Sequence, residues 1–205
     1  DVVNHISKAT GKMIRSACCQ FAYNCGSNTD DKHKLYLLGS IIETIHLASL
    51  VHDDIIDKSD IRRNQASIYK EFGADTALVS GTFFYAKALK HISEIGSLEI
   101  LEDISFCVQR LCEGELNQIR DIKNCTIDQY LSSINGKTGV LFESACKNAA
   151  LLSKGPIENL SAYGKHIGTI FQMTDDYLDI FGKEKDLSKT TGQDFDSGVV
   201  SLPYI

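Results

Sequence analysis

Two acidic pentapeptides carry the residues of this sequence that are best suited to chemistry: Asp53-Asp54-Ile55-Ile56-Asp57 and Asp175-Asp176-Tyr177-Leu178-Asp179. On a helix, residues four positions apart lie one turn above each other, about 6 Å along the axis. The first and last carboxylates of each motif would therefore share one helix face. Carboxylate oxygens suit a hard cation such as Mg²⁺, which is usually held by one or two carboxylates together with substrate phosphates. The two motifs predict a site in which metal ions bridge to a diphosphate.

The surroundings of the two motifs help to separate metal binding from a simple acidic surface. One copy alone could equally be a solvated acidic patch, because short patterns recur by chance. Each copy here follows an apolar stretch, residues 47–51 before the first and residues 170–173 before the second. Solvated acidic faces rarely have such flanks. The repetition in this setting favours ligand binding.

Basic residues occur where an anionic substrate held by metal ions would need them. Arginine binds phosphate through two parallel N–H donors, whereas lysine supplies a mobile point charge. Each of these residues taken alone would more often be an ordinary surface cation. As a set near the acidic motifs, they indicate an anion site. They are Lys12, Arg15, Arg62, Arg63, Lys137 and Lys189.

The composition excludes several classes of protein. The chain has 205 residues, 43% of them hydrophobic, so it can bury one substantial core and is most simply a single domain. A net charge of −6 without a basic tract argues against nucleic acid as a partner. The apolar runs are short for a bilayer span, so we do not expect a transmembrane protein. Seven cysteines without a CxxC pair indicate reduced thiols and a cytoplasmic location.

The pattern of apolar residues predicts long helices. Pro156 and Pro203 are the two prolines of the chain, so few positions interrupt a helix. Apolar residues recur at helical spacing, and the alternation typical of strands is scarce. We therefore predict an all-α bundle in which the acidic helices face each other across a central cavity. The predicted helices cover residues 11–25, 32–58, 70–93, 97–120, 127–152 and 157–182, with polar turns between them, one of them at residues 60–64.

The motifs and their order resemble those of trans-type polyprenyl diphosphate synthases of the long-chain type. The resemblance runs from Gly11 to Pro203. It implies the isoprenoid synthase fold, an antiparallel helical bundle around a central cavity. Because the chain lacks an initial Met and ends abruptly, we expect residues 1–205 to be one synthase domain without its N-terminal and C-terminal helices. The matching stretches are residues 11–15, 43–57, 62–63, 112–115, 137–138 and 168–176.

The resemblance implies roles for individual residues. Mg²⁺, or Mn²⁺, would be held by Asp53, Asp54, Asp57 and Asp175, and more loosely by Asp176 and Asp179. The diphosphate of an allylic substrate would be contacted by Arg62, Lys137, Thr138, Gln172 and Lys189. Isopentenyl diphosphate, the second substrate, would be bound by Lys12, Arg15, His46 and Arg63. The catalytic set would be Asp53, Asp54, Asp57, Lys137 and Asp175. Weaker candidates are Glu43, Glu113 and Gln118.

The implied reaction is the condensation of isopentenyl diphosphate with an allylic diphosphate to give a longer trans-polyprenyl diphosphate. Ala48 and Ser49 lie about one turn before Asp53 and would point towards the allylic tail. In similar synthases, bulky aromatic residues at these two positions stop chain growth early. Two small residues therefore predict a product longer than farnesyl, in the hexaprenyl to octaprenyl range. The alternative is that both merely allow close helix packing.

The sequence also departs from the family pattern. Gly81-Thr82 replaces the usual Gly-Asp, and Gln193 and Val199 replace frequent lysines. The absence of a cation at position 199 would remove one diphosphate contact, which is compatible with weakened binding or an enzyme that depends on a partner.

Four functions stay open at this point. They are an elongating prenyltransferase, the catalytic subunit of a heterodimer with a small partner, a class I terpene cyclase or squalene-synthase-like enzyme, and a non-catalytic regulatory subunit. The isopentenyl site and the second motif disfavour a cyclase, and the intact motif carboxylates disfavour a regulatory subunit. We expect a homodimer, or a heterodimer with a small subunit, in the cytoplasm and at most peripheral at a membrane surface.

Overall fold

The structure, a computed structural model, describes residues 2–8, 11–120 and 126–182, with the side chains of residues 118–120 excepted. Helices dominate these ranges, and a short β-hairpin follows the third helix. The elements are α1 (Val2–Ser7), α2 (Ile14–Asn24), α3 (Lys32–Ile56), β1 (Ile61–Arg62), β2 (Gln65–Ala66), α4 (Ile68–Phe72), α5 (Ala74–Ile95), α6 (Leu98–Arg120), α7 (Ile127–Ile134), a π-helical turn (Asn135–Gly139), α8 (Val140–Ser153) and α9 (Ile157–Phe181).

The all-α prediction is confirmed, and four predicted helices correspond to α2, α3, α6 and α9 within a few residues at each end. Local signals explain the helix starts. The side chain of Asp31 accepts the backbone N–H of Lys34 at the start of α3. Thr126 and Gln129 form a reciprocal capping box at the start of α7. Such caps satisfy N–H groups that lack partners within the helix.

Three details differ from the prediction. The predicted helix 70–93 is divided at Gly73, whose φ of 85° ends α4 and begins α5, because glycine tolerates that backbone conformation. The predicted helix 127–152 is interrupted by the π-helical turn. The predicted polar turn at residues 60–64 belongs to the hairpin β1–β2, whose strands of two residues are too short to show alternation.

The core lies around α3. This helix packs on α5, α2 and α8, while α9 packs on α8 and the π-helical turn. The main hydrophobic cluster joins α2, α3, α5, α6 and α8, and Leu38, Ile42 and Leu141 are among its fully buried side chains. A second cluster joins Ala48 and Val51 of α3 to α4 and α5. Asp103 of α6 accepts hydrogen bonds from Ser144 and Asn148 of α8, which fastens these two helices together.

Among the described residues, α3 is the one helix long and apolar enough to cross a membrane by length and composition alone. The central helix of a packed bundle meets the same criterion. Nine residues of α3 are buried against its neighbours, including Leu38, Ile41 and Asp54. The burial accounts for its apolar character as a core helix.

Candidate active site

Adjacent residues of the π-helical turn Asn135–Gly139 interact with the first acidic motif and with the residue one turn before Asp176 of the second. The ammonium of Lys137 interacts with the charges of Asp53 and Asp57 in the first motif. The hydroxyl of Thr138 donates to Oε1 of Gln172, one turn before Asp176 in the second motif, at 2.7 Å. π-Helical turns are rare and often occur at functional sites. The turn brings the two motifs, which lie on helices that do not pack extensively on each other, to one place.

Lys137 is held by a residue to which the sequence assigned no role. Its Nζ lies 2.8 Å from Oε2 of Glu115 on α6, and both side chains are largely buried. Burial lowers the pKa of Lys137, but the charges of Asp53 and Glu115 outweigh this effect and raise it overall. The lysine therefore stays cationic. It is a fixed positive charge next to the first acidic motif.

The first motif combines carboxylates in two different environments. Burial raises the pKa of Asp53 to about 7, Glu115 and Asp57 add to the rise, and Lys137 and Arg62 oppose it. Burial also raises the pKa of Asp57, at the end of α3. Ionising these carboxylates without a counter-ion is therefore unfavourable. A bound cation would relieve that cost.

Asp54, the middle carboxylate of the first motif, is turned into the protein. It is 3% exposed, and its Oδ1 accepts Nε–H of Arg62 at 2.9 Å and an Nη2–H of Arg62 at 2.6 Å. The hairpin makes this pairing possible. Arg63 and Asn64 form its two-residue turn with φ of 52° and 62°, the conformation of a type I′ turn. Arg62 thus reaches back to Asp54.

The second motif is built differently. Asp176 is 6% exposed; its Oδ2 accepts the hydroxyl of Tyr130 at 2.6 Å and its Oδ1 accepts Nε2–H of Gln172 at 2.8 Å. Asp175 is exposed on α9, whereas Asp179 is 3% exposed. The second motif therefore combines one exposed aspartate with two buried ones.

Two of the predicted isopentenyl diphosphate residues, His46 and Arg63, line a cavity beside α3. This cavity of about 470 Å³ between α1, α2 and α3 is lined by Gly11, Glu43, His46 and Arg63, among others. The Arg63 guanidinium lies against Gly11. Oε1 of Glu43 accepts the backbone N–H of Ser16, 3.0 Å away, in the first turns of α2. The lining is partly apolar and partly basic, which suits a small diphosphate with a hydrocarbon part.

His46 and Arg15 show how burial acts on the predicted isopentenyl diphosphate residues. Burial, helped by the charges of Arg15 and Arg63, lowers the pKa of His46 to about 3, so the imidazole is neutral at physiological pH. Burial lowers the pKa of Arg15 to about 10, with Glu43 opposing the fall, so Arg15 remains cationic. Its guanidinium stacks 4.6 Å from the ring centroid of Phe142, and its buried Nε has no hydrogen-bond partner. Such a donor is available to an anion.

The other residues of this group are placed less centrally. Lys12 is exposed just before α2. Glu113 is exposed on α6, where it contacts Gln109 and Arg110. Lys189, Gln193, Val199 and the side chain of Gln118 lie outside the described part of the chain. Thr82 is exposed on α5 and donates its hydroxyl to the carbonyl of Leu78.

The two small residues before the first motif have different environments. Ala48 is fully buried in the second cluster, where α3 packs on α4 and α5. Ser49 is half-buried and donates its hydroxyl to the carbonyl of His46, which leaves the side chain satisfied within its own helix. The alternative of helix packing therefore applies more directly to Ala48. The role of both residues in product length stays a prediction.

The donor set fits a hard divalent cation. Within the described ranges, no three His, Cys, Asp or Glu side chains converge as a preformed metal cluster. Mg²⁺ does not require such a cluster, because it keeps several waters and is commonly held by one or two carboxylates and substrate phosphates. Asp53 and Asp57 supply two such carboxylates from α3 and its C-terminal cap. The charge of Asp57 raises the pKa of Asp53, so a cation bound between them would be favourable. Oxygen ligands of this type do not discriminate strongly between Mg²⁺ and Mn²⁺.

The structure also identifies residues that the sequence did not. Glu115 and Tyr130 hold Lys137 and Asp176 respectively. Glu115 lies within the stretch 112–115 that carried the resemblance, but its pattern gave no reason to prefer it over Glu113. Tyr130 is 46 positions from Asp176, and no spacing rule connects the two.

Comparison with known proteins places the chain among related sequences and folds. A family model described as polyprenyl synthetase matches residues 1–205. The all-trans-nonaprenyl-diphosphate synthase (geranyl-diphosphate specific) of Rhodobacter capsulatus is 36% identical over 209 residues, covering 100% of this chain and 64% of the relative. Heptaprenyl diphosphate synthase component 2 of Geobacillus stearothermophilus is 33% identical over 208 residues, covering 98% of this chain and 64% of the relative.

Solved structures give the same picture. The crystal structure of heptaprenyl diphosphate synthase from Staphylococcus aureus matches with a TM-score of 0.92 and 34% identity, covering 98% of this chain and 64% of that one. The chain thus spans about 64% of the length of the relatives it matches.

Proposed function

Because this chain belongs to the polyprenyl synthetase family, we propose that it is a Mg²⁺-dependent prenyltransferase, which condenses isopentenyl diphosphate with an allylic diphosphate. The product would be a trans-polyprenyl diphosphate longer than C15. The observation that carries the proposal is the placement of Lys137 and Thr138 between the two acidic motifs, which assembles carboxylates and a fixed cation from distant parts of the chain. We treat residues 1–205 as one synthase domain.

The allylic diphosphate would bind at the acidic motifs. Asp53, Asp57 and Asp175 would hold the metal ions, which when bound neutralise negative charge on the departing diphosphate. Lys137 adds a cation that the protein holds in position through Glu115. A fixed charge of this kind stabilises the leaving group without reorganisation during the reaction. Arg62 lies beside this site and is paired with Asp54 in the absence of substrate.

Isopentenyl diphosphate would bind in the cavity between α1, α2 and α3. Arg63 lines this cavity and would donate to the phosphates. The buried Nε of Arg15, which has no hydrogen-bond partner, and the exposed Lys12 are further candidate donors near the start of α2. The neutral imidazole of His46 offers a hydrogen bond without adding a charge. Exclusion of water from the site would protect the allylic cation that forms when the diphosphate departs.

A dimer is the assembly that the surface of the chain favours. Large apolar side chains are exposed along α5 and α6, among them Val79 at 68%, Phe83 at 57% and Phe106 at 54%. Exposed apolar surface of this kind is typical of a protein interface. We favour a homodimer. A heterodimer with a small subunit is the second candidate, because the name of the Geobacillus stearothermophilus relative numbers it as one component.

The proposed location is the cytoplasm. The structure describes six cysteines, all as free thiols, and three of them, Cys19, Cys107 and Cys146, are buried. Unpaired buried thiols suit a reducing compartment. Product with a long hydrocarbon tail gives a reason for peripheral contact with a membrane surface.

The proposal is tested by incubating the purified chain with Mg²⁺, labelled isopentenyl diphosphate and farnesyl diphosphate, and reading the product length by chromatography. We expect Asp53→Ala and Asp175→Ala each to lower turnover by at least about 100-fold, the scale for losing one element of charge stabilisation. The control Glu102→Ala, at an exposed position of α6, should behave as the unmodified chain. Light scattering on the same sample counts the subunits.

Substrate assignments are tested by separate Michaelis constants. Lys12→Ala and Arg63→Ala should mainly raise the constant for isopentenyl diphosphate, whereas Arg62→Ala should act on the allylic substrate. Near-normal turnover of Asp53→Ala would overturn the proposed site. The same defect on the same substrate in all three basic variants would overturn the assignment of the two substrates to separate sets of basic residues.

A further inference from the structure

The buried contacts of Asp176 differ from those expected of a metal ligand. Its carboxylate is 6% exposed and accepts from Tyr130 at Oδ2 and from Gln172 at Oδ1, at 2.6 and 2.8 Å. Mg²⁺ requires nearly ideal octahedral geometry and retains several waters. A carboxylate enclosed between a phenol and an amide offers little room for such an ion. Asp175, one residue earlier, is exposed and has that room.

The hydrogen bonds of Asp176 continue to the π-helical turn. Gln172 donates to Asp176 with its Nε2 and accepts from the Thr138 hydroxyl with its Oε1, so both ends of the amide are engaged. Tyr130, which is 4% exposed, anchors the other end of this chain in α7. Three elements, α7, the π-helical turn and α9, are therefore joined through one buried network. The residue that follows Lys137 is a member of it.

The backbones of α9 and the π-helical turn are in direct contact. A Cβ added at Gly168 would lie 2.7 Å from the Cα of Gly139, so the glycine allows an approach that a side chain would prevent. Two elements packed this closely move together, because protein interiors have little free space. The hydrogen bonds and this backbone contact together hold α9, which carries Asp175, against the turn that carries Lys137.

We propose that Asp176 and Tyr130 are positioning residues: their hydrogen bond, extended through Gln172 to Thr138, sets the position of Asp175 relative to Lys137, and Asp176 does not itself bind metal. This inference rests on the proposed function for its link to catalysis. It departs from the expectation that all three aspartates of the second motif bind metal. Outer residues that orient ligands typically change affinity or activity by about 10-fold to 100-fold when removed.

The test compares carboxamide variants at neighbouring positions. In Asp176→Asn, the new Oδ1 still accepts from Tyr130, and its NH₂ can donate to Gln172 once that amide is turned over. Thr138 can then accept instead of donate. We expect this variant to lose no more than about 10-fold in turnover and to keep its half-saturating Mg²⁺ concentration. Asp175→Asn should lose at least about 100-fold and need more Mg²⁺.

Tyr130→Phe removes one hydroxyl and leaves the buried ring. We expect turnover to fall by about 10-fold or more, with an unchanged Michaelis constant for isopentenyl diphosphate, because the lining of the cavity proposed for it does not include Tyr130, Thr138 or Gln172. The matched control is Tyr163→Phe on α9, where the side chain is 40% exposed and the variant should behave as the unmodified chain. In the Asp176→Ala background, Tyr130→Phe should cause no further loss, because its acceptor is already gone. A general loss of stability would not produce this pattern.

Binding of Mn²⁺ in the presence of inorganic diphosphate, followed by electron paramagnetic resonance, gives a measurement that does not depend on turnover. Asp176→Asn should bind as the unmodified chain does, and Asp175→Asn should bind more weakly. Weakened binding in Asp176→Asn to the level of Asp175→Asn would overturn the inference, as would absence of Mn²⁺ binding in the unmodified chain. A different outcome is that neither the unmodified chain nor any variant transfers prenyl groups, while Asp175→Asn still binds Mn²⁺ more weakly than Asp176→Asn. In that outcome the proposed function fails, and the inference that Asp176 does not bind metal stands.

Discussion

The two acidic motifs have the same spacing but are supported in different ways. In each motif the middle aspartate is buried and held by the protein. Asp54 is held by the cation Arg62, only eight positions along the chain. Asp176 accepts from the neutral groups of Tyr130 and Gln172, the first of them 46 positions away. The same local pattern is thus stabilised by a nearby ion pair at Asp54 and by long-range hydrogen bonds at Asp176.

The residues before the motifs also differ. At the fifth and fourth positions before the first motif, α3 has Ala48 and Ser49; at the same offsets, α9 has Ile170 and Phe171. The Phe171 ring packs against Phe142, with ring centroids 5.6 Å apart. The side chains at these offsets are small on α3 and large on α9, where Phe171 is half-buried against Phe142 and Ile170 is 59% exposed. A long allylic tail would accordingly pass along α3.

Introducing a large side chain on α3 should change the product, and this is the largest effect we expect. Ser49→Phe should shorten the polyprenyl product by several isoprene units, because its ring would block the tail while leaving Asp53 intact. Ala48→Phe should do the same but also destabilise the fold by about 1–3 kcal/mol, since Ala48 is fully buried against α5. Product length by chromatography and unfolding by urea separate the two effects.

The control for this experiment is on the other motif. Ile170→Ala removes a large side chain from α9 at the matching offset, where it is 59% exposed, and should leave the product unchanged. Unaltered product length in an active Ser49→Phe variant would show that the tail does not pass this position.

The sequence predicted the helices better than the contacts between them. α3 and α9 were recognisable because their apolar period and few prolines act locally. The π-helical turn was not, since its sequence continues the helical pattern and the wider turn forms in contact with α6 and α9. Arg62 was expected to bind phosphate from its position after the motif. Its pairing with Asp54 depends on a hairpin turn with an arginine at positive φ, which is an uncommon conformation for that residue type.

Removing Arg62 tests the ionic support of the first motif. Arg62→Ala leaves the buried carboxylate of Asp54 without two of its donors, so we expect the free energy of unfolding to fall by about 1–3 kcal/mol. The half-exposed position of the guanidinium keeps the effect below that of a fully buried pair. In an Asp54→Asn background the same change should cost much less, because a neutral amide does not need a cation. Urea denaturation of the four proteins gives the coupling energy.

A coupling energy below about 0.5 kcal/mol would show that Arg62 and Asp54 do not support each other. Tyr130→Phe, measured in parallel, removes one neutral donor from Asp176 and should leave the Arg62–Asp54 coupling unchanged. The ion pair of Asp54 and the hydrogen bond of Asp176 would then stabilise the two motifs independently.

The last effect, no larger than that of Arg62→Ala, concerns the charge of the first motif without metal. Burial raises the pKa of Asp53 to about 7, above the ordinary value of 3.8 for this side chain, so between these values the folded chain retains a proton that the unfolded chain releases. The stability contributed by protonated Asp53 is present below about pH 4 and is lost as the pH rises through 7. Asp53→Asn should therefore stabilise the metal-free protein above pH 7 by about 1–3 kcal/mol and have no such benefit at pH 4.

The measurement is thermal unfolding against pH in the presence of a chelator, with Glu102→Gln, at an exposed position of α6, as the control. Addition of Mg²⁺ at pH 8 should raise the stability of the unmodified chain more than that of Asp53→Asn, because a cation binds the ionised carboxylate. An equal gain in both would remove Asp53 from the metal site, and a pH-independent difference would show that its burial does not control its charge.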